Sequence, residues 1–341
     1  MHYLRPPDVR PDAAGHIGVL LVNSGTPPSL APGDVRRFLK GLLSDPRVIE
    51  LPRTLWLPIL YGFILPLRPV RVARKYARVW TNEGSPLVAF SARLRTELQH
   101  ALAQRLPTPV SIELGMLYSP PSVPDGLRRL RDLGAQRILI LPLYPQYSGS
   151  TTGAAFDQVA AELKHWRRLP QLHFAAEYHD QPAYIEALRA SVAGHWAAQG
   201  KTRYLLISFH GIPQRYAVSG DPYSAQCQRT ARLLADALDL RDEEWSVSFQ
   251  SRFGAAEWLK PYTIETIAAL PARGTDEVTV VCPGFAVDCL ETLEEIAIEN
   301  RERFMASGGR RFLYVPALNA GAPHVEFLAS LIERWIVNAQ G

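Results

Sequence analysis

The sequence predicts an α/β protein of two similar lobes, each a doubly wound parallel sheet of four strands with flanking helices. Eight short strand-like runs, most of them apolar and several β-branched, recur along 341 residues, with periodic helical stretches between them. Continuous apolar strands alternating with helices indicate parallel sheets covered on both faces. A faint internal echo accompanies them. VLLVNSGTP (19–27) and LLISFHGIP (205–213) both read as strand, one residue, then Gly-x-Pro. ILILPLYPQ (138–146) and VTVVCPGFA (278–286) both read as a β-branched strand closed by proline and an aromatic loop. Two such pairs in the same order predict a duplicated architecture.

In chain order, the strands are expected at 17–23, 110–117, 137–143 and 172–178, then at 203–209, 245–250, 278–282 and 311–315. Each is a run of four to eight residues that a turn or a helical stretch closes. Helical periodicity covers 86–105, 182–199, 222–239, 288–307 and 323–338. The resulting organisation is a polar extension over 1–15, a first lobe over 16–172, a second over 173–322 and a C-terminal helix over 323–341. Ligands of open parallel sheets collect at the strands' C-terminal ends, so the default site is the crevice between the lobes.

With 47% hydrophobic and 21% charged residues, the chain has the composition of a globular protein with a substantial core. A net charge of +4, without a dense basic stripe interleaved with aromatics, gives no reason to expect a nucleic-acid partner. Arg68, Arg71, Arg74 and Arg78 would gather on one side of a helix, as a solvated face or a site for anionic groups. Cys227, Cys282 and Cys289 form no CxxC pair and are odd in number, which indicates neither a disulfide framework nor a cysteine-built metal cluster and fits a reducing compartment. The first sixteen residues show no apolar signal-peptide core, and the expected location is the cytoplasm. No apolar stretch approaches the roughly 18 residues needed to span a bilayer. The nearest, LWLPILYGFILPL (55–67), is broken by Pro58, Gly62 and Pro66. It reads as core or a buried connection. The alternative is an exposed apolar lip for a hydrophobic ligand or a peripheral membrane contact.

Three constellations carry chemistry. His210 closes the strand YLLISFH ahead of Gly211 and Pro213, where an imidazole can pack, accept a proton or bind a divalent metal. DCLETLEEIAIEN (288–300) begins with Asp288 and Glu291 at capping-box spacing. It continues with Glu291, Glu295 and Glu299 at i, i+4 and i+8, and no Lys or Arg interrupts that column. Like charges so spaced cost a few tenths of a kcal/mol per pair, so the column makes sense where it meets a cation or relays protons. The loop LYPQYSGSTTG (143–153), with Tyr118, Trp258 and Phe285, supplies rings suited to a flat hydrophobic ligand. Imidazole with carboxylate oxygens and no thiolate pairs suits a borderline divalent ion in transit.

Several longer strings carry a family resemblance. They are LLVNSGTP (20–27), GLLSDPRV (41–48), EGSPL (83–87), LPLYPQYSGSTTG (141–153), SFHGIPQRY (208–216), GDPY (220–223), FQSRFGAAEWLKPYT (249–263) and CPGFAVDCLETLEEIA (282–297). Together they span nearly the whole chain after residue 15, and the chain resembles the ferrochelatases, in wording closest to proteobacterial forms. The resemblance implies a chelatase-like pair of Rossmann-like lobes with the active site in the cleft between them. It implies insertion of Fe(II) into protoporphyrin IX, with two protons released, at the end of haem synthesis. His210 and Glu291 match the residues assigned there to metal binding or proton acceptance, and Glu294 and Glu295 match the metal or proton relay. Arg68, Tyr76, Ser85, Trp258 and Phe285 match porphyrin contacts.

The departures carry their own implications. The cysteine that ligates an iron–sulfur cluster in animal members is replaced here by Gly149, and the chain ends at AQG without added cysteines, which implies no cluster. Fe(II) is then a substrate, with no permanently bound cofactor. Cys289 stands where many eukaryotic members have a histidine, and Ser24 stands where a larger apolar residue often contacts the porphyrin. A chelatase for coproporphyrin III or another metal, or a non-catalytic haem carrier, would share much of this pattern. Monomer and dimer are both open, as is peripheral attachment at the inner membrane through 55–67.

Overall fold

The computed structural model describes residues 16–338; the extension expected at 1–15 lies outside the described residues. The chain forms two compact units. The first comprises residues through Tyr144, Ser148–Glu177 and residues from Val325 onward; the second comprises Pro145–Tyr147 and Tyr178–His324.

The first unit holds a parallel sheet of β1 (Ile17–Asn23), β2 (Val110–Met116), β3 (Arg137–Pro142) and β4 (Gln171–Phe174), in the order β2-β1-β3-β4. The second unit repeats that order with β5 (Tyr204–His210), β6 (Trp245–Gln250), β7 (Glu277–Val281) and β8 (Arg311–Val315), as β6-β5-β7-β8. The echoed strings of the sequence therefore fall on equivalent strands: β1 with β5, and β3 with β7. Every residue of β1 is buried, as two-sided helix cover requires.

In each sheet the chain steps from the first strand to one side, then returns to add the next two on the other. The topological switch point lies between β5 and β7 in the second unit, and ligands of open α/β sheets bind outside the strand ends there. His210 is the last residue of β5, and the chain leaving β7 runs directly into the acidic helix.

Three expectations are corrected. The strand expected at 172–178 ends at Phe174. Ala175 still donates to the Ile140 carbonyl, but Tyr178 donates to Pro145 in the second unit and the pairing stops. The helix expected at 288–307 is π-helical over Glu291–Asn300 and α-helical only over Arg301–Ala306.

The third correction concerns 55–67, which is core on one side only. Arg53–Ile59, a π turn at Leu60–Ile64 and Leu65–Ala77 form one continuous helix of 25 residues, long and apolar enough to cross a membrane by length and composition. Pro58, Pro66 and Pro69 all lie within it, and the π turn, where bonding shifts from i+4 to i+5, falls between the first two. Trp56, Leu60 and Leu65 turn inward, whereas Leu55, Phe63 and Leu67 are 64%, 66% and 72% exposed. Of the four arginines expected to line one helix side, Arg68 is half-buried and Arg71, Arg74 and Arg78 are exposed.

The cover of the first sheet shows how tightly these layers meet. The helix Val123–Asp132 opens with a capping box between Ser122 and Asp125 and buries Val123, Gly126, Leu127 and Leu130. A Cβ added at Gly126 would lie 2.5 Å from Leu20 Cδ1 and 2.8 Å from the Leu114 carbonyl oxygen. Alanine would gain about 1 kcal/mol of helix propensity, but forcing it against a backbone carbonyl costs about 1–3 kcal/mol. The clash wins because the carbonyl belongs to a paired strand and cannot swing away. Gly126→Ala is expected to lower unfolding free energy by about 1–2 kcal/mol in urea titration; an unchanged or raised midpoint would contradict this account.

Candidate active site

His210 ends β5 opposite Gln250, the last residue of β6. Its Nδ1 lies 2.6 Å from the Gly211 carbonyl oxygen. A carbonyl only accepts, so the neutral ring carries its proton on Nδ1 and keeps the Nε2 lone pair for a proton or a metal. Trp258 and Phe285 flank the imidazole, with ring centroids 6.3 and 6.4 Å away. Gly211 is required by close approach: a Cβ there would meet the Gln250 carbonyl oxygen at 3.0 Å and the Trp258 ring at 3.1 Å. Trp258 is set by pairing with Pro213 and by Leu259 donating to the Ile212 carbonyl.

The acidic helix starts beside this imidazole. Gln250 is the knot: its Nε2 donates to the Glu291 carbonyl at 3.0 Å, while its Oε1 accepts from Ser208 Oγ at 2.7 Å and from the Cys282 thiol at 3.5 Å. Its own carbonyl accepts the Gly211 N–H at 2.8 Å. The residue after it, Ser251, donates its N–H to Glu295 Oε1 at 2.7 Å and its hydroxyl to Oε2 at 2.5 Å.

Burial raises the Glu295 pKa above the ordinary carboxylate range; the Ser251 bonds and the nearby His210 charge pull it back, and Glu291 pushes it up. Glu295, His210 and Glu291 therefore share one electrostatic neighbourhood in the second unit. The Cys289 thiol is raised well above its ordinary value by burial, then by the Glu291 charge and by its hydrogen bond to that carboxylate.

The column of carboxylates divides by environment. Glu291 and Glu295 are half-buried, Glu294 is buried and Glu299 is exposed. A π-helix bonds i to i+5, so its wider turn rotates successive residues more slowly than an α-helix does. The capping box expected between Asp288 and Glu291 is absent. Asp288 instead accepts from Thr292 Oγ1 at 2.8 Å, from Asn319 Nδ2 at 2.8 Å, and from the Tyr314 hydroxyl. Asn319 in turn accepts the Asp288 N–H at 2.8 Å. Asp288 is thus an anchor for the helix start.

Arg68, Tyr76 and Ser85 lie in the first unit. Arg68 and Tyr76 share the helix Leu65–Ala77. Burial, and then the neighbouring Arg71 charge, lowers the Arg68 pKa. Tyr76 is buried edge-on against Trp80 at 6.0 Å. Ser85 precedes the helix Pro86–Arg105 and donates its hydroxyl to Thr26 Oγ1 at 2.9 Å. Tyr118, a ring candidate in the sequence, is committed to a hydrogen bond with Asp45 at 2.9 Å. Among the described residues, no group of three or more His, Cys, Asp or Glu side chains is arranged to hold a metal ion, and the three cysteines are free and buried.

Sequence reasoning missed Gln250 and Ser251, although both stand in the string FQSRFGAAEWLKPYT. Their signal was position, at the C-terminal end of the strand paired with that of His210.

Two parallel sheets of identical order, with an imidazole and carboxylates at a strand-end switch point, define a two-lobed chelatase-type α/β protein. Solved structures with this fold include the sirohydrochlorin chelatase SirB from Bacillus subtilis subspecies spizizenii in complex with cobalt, at 10% identity and TM-score 0.53 over 94% of this chain and 95% of that one. SirB from Bacillus subtilis with Fe3+ matches at 11% identity and TM-score 0.54, covering 96% of this chain and 98% of that one. In sequence, the family description "Ferrochelatase" matches residues 16–335. The ferrochelatase of Thioalkalivibrio sulfidiphilus is 52% identical over 98% of this chain and 90% of its own length, and that of Nitrosococcus oceani is 51% identical over 96% and 89%. The chain belongs to the ferrochelatase family.

The support beneath the helix start is pH-sensitive. His324 is fully buried and its Nδ1–H donates to the Asn319 carbonyl at 2.6 Å, while Nε2 has no hydrogen-bond partner. Burial lowers its pKa from 6.5 to about 4. Between those values the unfolded chain binds the proton more readily than the folded one, so stability falls as pH drops through that window. At about 1.4 kcal/mol per pH unit, the loss across the whole window is about 3.5 kcal/mol. His324→Gln is expected to flatten the dependence of unfolding free energy on pH between 6.5 and 4; an unaltered slope would remove His324 from this role.

Proposed function

We infer that this chain inserts Fe(II) into protoporphyrin IX to give protohaem, releasing two protons in the last step of haem synthesis. Family membership across nearly the whole chain supports the reaction class. The observation that carries the chemistry is the free Nε2 lone pair of His210, held between two aromatic rings and next to the acidic helix.

A free porphyrin presents four coplanar nitrogens, two of them protonated, to an ion that arrives hydrated. Metallation requires removal of both protons, exposure of the nitrogen lone pairs and loss of water from the metal. In this reading His210 Nε2 takes a pyrrole proton or ligates the incoming metal, and Glu291 serves the same reacting centre. Glu295 and the buried Glu294 carry protons or metal onward along the helix. Trp258 and Phe285 pack against the macrocycle, and apolar contact favouring a bent ring over a flat one lowers the barrier by differential binding. Arg68, Tyr76 and Ser85 complete the porphyrin contacts, with the Arg68 guanidinium suited to a propionate. Fe(II) enters as a substrate rather than a resident cofactor.

The exposed apolar residues of the helix Arg53–Ala77, with exposed Arg71 and Arg74 nearer its C-terminal end, support peripheral attachment to an anionic lipid surface on the cytoplasmic side. Apolar residues enter the interface while the arginines meet headgroups.

His210→Ala and Glu291→Gln are each expected to lower Fe(II) insertion at least about a hundredfold while porphyrin binding, read by fluorescence quenching, persists. Near-normal turnover in either variant would sink the assignment. The assay is run anaerobically with protoporphyrin IX and coproporphyrin III in parallel. Faster metallation of coproporphyrin would transfer the assignment to that substrate, and tight haem binding without metallation of either would make the chain a carrier. Phe63→Asp combined with Leu67→Asp is expected to cut co-sedimentation with phosphatidylglycerol vesicles at least about tenfold; unchanged co-sedimentation would dismiss that helix as the lipid contact.

A further inference from the structure

We infer that the Gln250–Ser251 corner at the end of β6 is a positioning bracket that holds the acidic helix in register with His210. The inference rests on the reading of Glu295 as a relay group. Ser251 holds both oxygens of Glu295, and Gln250 holds the Glu291 carbonyl one turn earlier. The Gln250 carbonyl accepts the N–H of Gly211, the residue after His210. Hydrogen bonds from two consecutive residues thus connect the imidazole-bearing turn to successive turns of the helix that carries both carboxylates.

The backbone at Ser251 shows what this geometry demands. Its φ is +66°, in the left-handed region that favours glycine. A residue with a Cβ stays there only where the surroundings enforce it. Neighbouring backbone bonds help enforce it: Phe249 donates to the Pro261 carbonyl and Gly211 donates to Gln250. Glycine would adopt that φ freely, so conformational preference alone does not explain a serine. The serine contributes the hydroxyl. In this turn one residue aims two donors at one carboxylate, which fixes the carboxylate plane; a single donor would leave it free to rotate. Ser251 touches neither reacting atom directly in this account and acts through Glu295.

The bracket is tested in the full-length chain with Ser251→Gly, Ser251→Ala and Glu295→Gln. Steady-state metallation is measured with kcat and the two KM values resolved, alongside urea unfolding. Ser251→Gly relieves the left-handed backbone and is expected to fold at least as stably as the parent. Its kcat is expected to fall about tenfold with KM for porphyrin unchanged, since small misplacement of a reacting group is costly in rate. Ser251→Ala should lose kcat similarly, and Glu295→Gln at least as much. Wild-type kcat in Ser251→Gly beside an impaired Glu295→Gln would overturn the bracket and leave the relay standing. Wild-type kcat in Glu295→Gln would overturn the relay reading and the bracket with it. Loss in Ser251→Ala alone, in step with lost folded protein, would assign Ser251 to stability and overturn the inference.

Discussion

The side chain of Gln250 is the interaction on which the candidate site depends. Buried at the end of an edge strand, it has one acceptor and one donor group to satisfy, and both are committed. The oxygen is taken by Ser208 on β5 and by Cys282 at the end of β7; the nitrogen is spent on the first residue of the acidic helix. Leaving any of these buried groups unpaired would cost about 1–3 kcal/mol. The amide therefore fixes where three strand ends and a helix start meet, and that meeting point is the switch point of the sheet. His210, at the paired end of β5, is tied to it through the Gly211 N–H, which donates to the Gln250 carbonyl.

Around this knot the protein departs repeatedly from ideal geometry. A ten-residue π-helix replaces the ordinary helical turn, and a serine adopts the left-handed region. A half-buried carboxylate is held with a raised pKa. Behind them Asp288 satisfies Thr292, Asn319 and Tyr314, and a histidine that resists protonation supports Asn319 from below. Each departure is destabilising in isolation. They persist because β5 and β7, whose residues are almost entirely buried, form a stiff floor beneath them. A rigid sheet beneath such a rim fits the proposed role of His210 and the carboxylates, which requires them to hold fixed positions.

Much of this was legible in the residues. The apolar continuity of IGVLLVN and YLLISFH announced two-sided burial, and the echo between them marked equivalent places in two sheets of the same order. The three-to-four-residue spacing of the arginines placed Arg68, Arg71 and Arg74 on one helix, with Arg78 just past its end. Other features escaped because they depend on partners distant in sequence. Asp288 and Glu291 have capping-box spacing, yet Asp288 is claimed by Asn319 and Tyr314, some thirty residues later. LWLPILYGFILPL has the composition of core, yet only part of it turns inward while Leu55, Phe63 and Leu67 face outward. Hydrophobicity reports what a segment could bury, not whether anything covers it.

The sequence by itself determined the strands, their parallel class, the duplication, and the residue types available for proton and metal chemistry. Those follow from local periodicity and from motif strings, which need no knowledge of distant contacts. Tertiary structure alone decided which nitrogen of His210 is left bare, because that turns on a hydrogen bond to the Gly211 carbonyl. It alone divided the carboxylates into half-buried Glu291 and Glu295, buried Glu294 and exposed Glu299, because a π-helix rotates side chains differently from the α-helix their spacing implied. And it alone brought Ser251 onto Glu295, across 44 residues of chain, where a hydrogen bond depends on how strand and helix pack rather than on either string.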